Sequence, residues 1–170
     1  ALIYPGPSPV RRLTDYQFYN TIHDLFAGLI EPGDAFPQTH IESGFSTYAG
    51  PNVVSSSSAQ SILETAETVG KQVAEKVSQI TPCQDGDHAA CLEAFLNAYG
   101  TRMYRRPLKQ DEEETLLNLF SILPEASTFG EKLSVVIETM LQSPQFLYIH
   151  PEEGEDAGQT DGVVALSHYA

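Results

Sequence analysis

Tryptophan is missing from this sequence, cysteine occurs only twice, and lysine and arginine together number nine against 23 aspartates and glutamates. Each shortage excludes something. Without tryptophan, and with no period-two alternation to build a sheet, there is no platform for a carbohydrate-binding module. A formal net charge of −14 is repelled by phosphate backbones and anionic lipid, so no nucleic-acid partner is expected. The apolar runs are short, far below the about 20 residues that cross a bilayer, so no membrane span is expected either. No CxxCH is present to attach a c-type haem, and no four-ligand Cys/His pattern to hold structural zinc. GxSxG, HExxH, a phosphate loop and the dinucleotide-binding glycine pattern are all missing, so no catalytic residue is assigned and no cofactor is expected in this chain.

The two cysteines, Cys83 and Cys91, flank the polar segment "QDGDHAA" with Gly86 at its middle. A small disulfide loop is the preferred reading, and two free thiols are the alternative. A disulfide would favour a periplasmic or secreted location. The first residue is Ala1 rather than Met, and no signal peptide precedes it, which suggests a processed terminus.

What is there reads as helix. "ALIYPGPSPVRR" holds three prolines and a glycine and is expected to be an extended arm. Thr14 and Gln17 form a capping box, with Leu13 as staple, for a helix burying Phe18, Ile22, Leu25 and Leu29 and stopping at Gly28 and Pro32. Residues 30–55 carry no period and read as one long ordered loop, packed down by Phe36, Phe45 and Tyr48. Further helices are expected over 57–80, 88–104, 110–122 and 128–142. Gly70 weakens the first of these by about 1 kcal/mol relative to alanine. Helix 88–104 is expected to bury Cys91 or Leu92, Phe95, Ala98, Tyr99 and Met103. No strand is expected. The fold class is therefore all-α, an irregular bundle of about five helices with an extended N-terminal arm.

Four regions follow. Residues 1–82 hold the arm, first helix, loop and long helix, and 83–150 a three-helix region. Residues 151–163 are an acidic linker, and 164–170 begin a further helix capped by Ser167, as though the chain were a piece of something longer.

"TRMYRRPL", residues 101–108, concentrates three of the nine cations. Pro107 disfavours helical geometry at Arg106, so a helix ends there. Arg102, Arg105 and Arg106 would offset the negative end of that helix, and Asp111, Glu112, Glu113 and Glu114 would favour the start of the next. The expectation is a structural ion-pair junction; an anion-binding site is the alternative. Metal candidates are confined to His23 and His40, near Asp24 and Glu42, and adjacent helix positions diverge too far to share an ion easily. His88 beside Asp85 and Asp87 reads as a helix start, and "DGDHAAC" lacks the later ligands of a calcium loop.

"RRLTDYQFYNTIHDLFA", "DAFPQTHIESGFSTYA", "AYGTRMYRRPLKQDEEETLLNLF", "LQSPQFLYIHPE" and "ALSHYA" occur in that order. Together they resemble the N-terminal half of a large uncharacterised family of secreted proteins abundant in planctomycetes and myxobacteria. Such proteins are runs of domains of unknown function, often accompanied by cytochrome c domains. The resemblance spans roughly residues 10–170. It implies an extracytoplasmic location and brings no catalytic residues with it. The function expected is a non-catalytic helical docking or scaffold module, partnered by the downstream region of the same polypeptide or by a second chain. The alternative is one chain of a redox-linked enzyme, an oxidoreductase, with haem or a transition metal in a partner domain. Loop 30–55, with Phe36, His40 and Tyr48, would be its contribution.

Overall fold

The computed structural model describes residues 10–46, 49–50, 52–81 and 87–149. The fold is all-α apart from one tiny ladder. Helix α1 (Asp15–Leu25) opens on a full capping box: Thr14 Oγ1 accepts from the Gln17 N–H at 3.0 Å, and Gln17 Oε1 accepts from the Thr14 N–H at 3.1 Å. It ends four residues earlier than its hydrophobic pattern suggests. Ala27 (φ 50°) and Gly28 (φ 74°) turn left-handed, and the Gly28 N–H donates to the His23 carbonyl, so Leu29 enters the loop and is only partly buried.

Helix α2 (Ser56–Glu75) is capped by the Ser55 hydroxyl, which accepts from Ser58 N–H. The serine run thus serves a helix start. The predicted helix 57–80 is broken at Lys76 into α2 and a single turn, α3 (Val77–Ile80). The Lys76 ammonium donates to the Leu29 carbonyl at 2.5 Å, a tertiary bond that local periodicity cannot announce. Helix α4 (His88–Phe95) starts on the Asp87 side chain, which accepts from the Ala89 and Ala90 N–H groups. It runs through a π-helical turn (Leu96–Gly100) into α5 (Thr101–Tyr104). That turn corrects the expected face. A wider turn advances the register, so Leu96 and Gly100 are buried while Ala98 is exposed.

Helices α6 (Gln110–Ile122) and α7 (Phe129–Gln142) fall where their patterns place them, α7 capped by Thr128. Ser143 then caps a short helix, α8 (Pro144–Leu147), with proline at its first position. The chain also forms two two-residue strands, β1 (Arg11–Arg12) and β2 (Tyr148–Ile149), antiparallel with Arg12 opposite Tyr148. No strand is expected from the sequence. A ladder this short has no period to detect, and its partner lies at the other end of the fold.

The most extensive packing is α2 against α7, which run antiparallel: Gly70 faces Glu138, while Gly130 faces Ala74 and Val77. A single hydrophobic core joins both halves of the chain, from Phe18 and Ile22 through Val69 and Val73 to Leu133, Ile137 and Phe146.

Candidate functional site

The arginine stretch ends α5, and Arg105 itself takes the left-handed conformation (φ 57°) as its C-cap. The three cations then serve different partners, mostly far along the chain. Arg102 donates through Nη2 to the Asp24 carbonyl at 2.9 Å and through Nη1 to Leu25 at 3.4 Å, closing the C-terminal end of α1. Arg105 Nη2 donates to the carbonyls of Gln145 (3.1 Å), Phe146 (2.7 Å) and Tyr148 (3.0 Å), closing the end of α8 and touching β2. Arg106 is buried and binds Glu112 at the start of α6 through both terminal nitrogens. The negative helix ends satisfied by Arg102 and Arg105 thus belong mainly to α1 and α8, with one long bond from Arg105 Nη1 to the Met103 carbonyl of α5 (3.4 Å).

Aromatic rings link this junction to the N-terminal strand. Arg105 lies over Phe146, whose ring meets Phe18 edge-on at 5.6 Å. Phe18 stacks on Phe36 of loop 30–55 at 3.9 Å, and Arg12 lies over Phe36. Burial lowers the pKa of both Arg105 and Arg12, and for Arg12 Tyr148 and Asp15 oppose that shift. Arg12 donates to the Pro37 carbonyl at 3.4 Å, and its buried Nε has no partner among the described residues.

Glu112 titrates below the ordinary glutamate value of 4.5. The Arg106 hydrogen bond is the main cause, with burial opposing and the Lys109 N–H assisting. A depressed carboxylate contributes stability above its unfolded-state pKa, and the contribution is lost as pH falls through the lower folded value. Glu112→Gln should therefore melt earlier than the wild type at neutral pH, with the gap closing in acid below about pH 4. Thermal melts across pH check this; a gap independent of pH would contradict it.

Loop 30–55 is pinned at several points. Gln72 grips Glu31, its Oε1 accepting from the N–H and its Nε2 donating to the carbonyl. Thr39 accepts from the Asp15 N–H and donates to the Asp15 carboxylate. Asn52 bonds both backbone groups of His40. Between the Thr39 and Asn52 pins Ile41 and Phe45 face solvent, although Phe45 is expected to pack the loop down, and Val53 and Val54 are exposed just beyond. Where the loop meets the start of α1 there is an open pocket of about 220 Å³. Phe18, Pro32 and Phe36 are its buried lining, and Tyr16, Tyr19, Asp34 and Gln38 its exposed lining. The Tyr19 hydroxyl donates to Glu31, and that bond is the main reason its pKa is raised. Helical spacing favours the core for Tyr16 and Tyr19 over a cleft; both are instead exposed and line this pocket.

The described histidines stay apart from any ligand set. His23 is exposed, 3.7 Å from Asp24 and packed against Gly28. His40 is exposed on the loop. Among the described residues no group of three His, Cys, Asp or Glu side chains converges to hold a metal. Cys91 is buried on α4, while Cys83, Tyr48, the arm before Val10 and the acidic tail lie outside the described residues. No described helix is long and apolar enough to cross a membrane.

Residues 11–75 match the family model PSD3, a protein of unknown function (DUF1587), and residues 91–150 match PSD5, a protein of unknown function (DUF1595). Both stretches are thus similar to uncharacterised domains. No curated protein and no solved structure matches the chain.

Proposed function

We propose that the chain is a non-catalytic helical docking module of a larger extracytoplasmic protein, with loop 30–55 as its docking surface. The observation that supports this is the exposure of Ile41 (64%) and Phe45 (69%) on a stretch of loop pinned on either side, at Thr39 and Asn52, with Val53 (61%) exposed beside it. A loop ordered only for its own stability would turn such side chains inward, and clustered exposed apolar groups mark interaction surfaces. The partner is the downstream region of the same polypeptide or a second chain. The periplasmic or secreted location rests on the family resemblance and on a Cys83–Cys91 disulfide. The described residues include no free cysteine, which supports that pairing.

Native mass spectrometry of the protein from its source, with elemental analysis of the same sample, tests the reading. A second polypeptide held without a stoichiometric transition metal is expected. A bare 18.6 kDa chain removes the docking reading, and bound metal replaces it with the redox-linked enzyme. In the same spectra, a denatured mass about 2 Da below the dithiol value checks the disulfide.

A further inference from the structure

We infer that the pocket between α1 and loop 30–55 receives a lysine or arginine side chain of the docked partner, an inference that rests on the docking reading above. Three observations meet there. The pocket is lined by rings: Tyr16 is 73% exposed and Tyr19 38% exposed, while Phe18 and Phe36 lie buried. Such a surface attracts an ammonium or guanidinium through the ring quadrupole. Carboxylates lie on it and behind it. Asp15 and Asp34 line the pocket, and Glu31 holds the Tyr19 hydroxyl, fixing that ring and adding negative charge beside it. Finally, acidic residues dominate the surrounding chain. From Leu13 to Gly70 there is no lysine or arginine, against seven carboxylates.

Two cations approach, and neither lines the pocket. Arg102 closes the opposite end of α1, at Asp24 and Leu25. Arg12 is buried over Phe36 and attracted to Asp15 without lining the pocket, so the charge left for a ligand is that of Asp34 and Glu31. The positive end of the α1 dipole, which would oppose a cation, is countered by Asp15 in its first turn and by the Thr14 cap. A volume of about 220 Å³ admits one long side chain, whose methylenes can lie against Pro32 while its charge sits between Tyr16 and Asp34.

The test is titration of the full chain, followed by backbone amide NMR, with the blocked amino acids N-acetyl-lysine methylamide and N-acetyl-arginine methylamide. N-acetyl-norleucine methylamide is the neutral control. Saturable shifts at Tyr16, Tyr19, Gly33 and Asp34 with the cations alone, weakening as salt is added, are expected. Tyr16→Ala and Asp34→Asn should each weaken binding about tenfold. Both positions are exposed, so their melting temperatures should not move. Equal shifts with norleucine, or no saturable shift up to about 100 mM, overturn the inference. If the blocked cations fail while native spectra still show a second polypeptide, the pocket assignment falls and the docking reading stands. If they bind and no polypeptide is found, the docking reading falls and the cation site stands.

Discussion

Arg105→Ala is expected to lower the stability of the protein by about 3–5 kcal/mol, equivalent to a fall in Tm of roughly 10 °C for a chain of this size. One terminal nitrogen of Arg105 faces three carbonyls, those of Gln145, Phe146 and Tyr148. It carries only two hydrogens, so at most two of these contacts act at full strength. Charge-assisted bonds contribute about 1.5–3 kcal/mol each. Truncation also leaves the carbonyls at the end of α8 without their donor and removes the cation above the Phe146 ring. The damage should spread, because β2 follows α8 directly and pairs with β1, and the Leu13 N–H donates to the Leu147 carbonyl at 2.7 Å. Hydrogen exchange at Leu13 should therefore accelerate along with the drop in Tm. Arg105→Gly separates backbone from side chain. It relieves the left-handed strain at φ 57°, about 1–2 kcal/mol, yet restores no bond, so it should recover part of the loss only. Lysine, a point charge without the planar fork, should fall between alanine and wild type. Unchanged stability in Arg105→Ala, with loss of an anionic ligand, would instead make the stretch a binding site.

That contrast also shows what was legible in the sequence. Local signals read well. Thr14–Gln17, Ser55, Asp87 and Thr128 each cap the helix their position announces, because a cap is satisfied within three residues of itself. Phe18, Ile62, Val69, Leu133 and Ile137 are buried as their spacing requires. What depends on distant partners did not read. Nothing near Arg105 says that most of its acceptors lie about 40 residues away, and nothing near Lys76 says that its ammonium reaches the Leu29 carbonyl. The π-turn at 96–100 displaced Ala98 from the buried face, because a periodicity argument assumes a constant 3.6 residues per turn. The pocket by α1 needed Phe36 and Pro32 from the loop, and an aperiodic segment gives no account of where it will fold back.

The two glycines of the α2–α7 seam should respond to alanine with opposite signs, although composition treats them alike. A Cβ on Gly130 would lie 2.9 Å from the Ala74 carbonyl oxygen and 3.3 Å from the Ala74 Cα. Both are backbone of the facing helix, so the helices must separate. Gly130→Ala is expected to destabilise by about 1–3 kcal/mol, and Gly130→Val by more. At Gly70 the added methyl meets the Glu138 side chain, including its Cγ at 2.7 Å, and that chain can swing away. Glu138 has reason to leave: burial raises its pKa, and the charge of Glu67 adds to the shift. Moving it to solvent relieves both, and alanine adds about 1 kcal/mol of helix propensity over glycine. Gly70→Ala should therefore melt at or above the wild-type temperature, and Gly70→Ala with Glu138→Ala higher than Glu138→Ala alone. The pH dependence gives a second readout. A carboxyl whose folded pKa is raised favours the folded state increasingly as pH falls through that value. This contribution should be present in the wild type and absent once Glu138 has swung out. Equal losses for Gly70→Ala and Gly130→Ala would mean that the seam is closed to both methyls, with Glu138 as fixed as the Ala74 backbone.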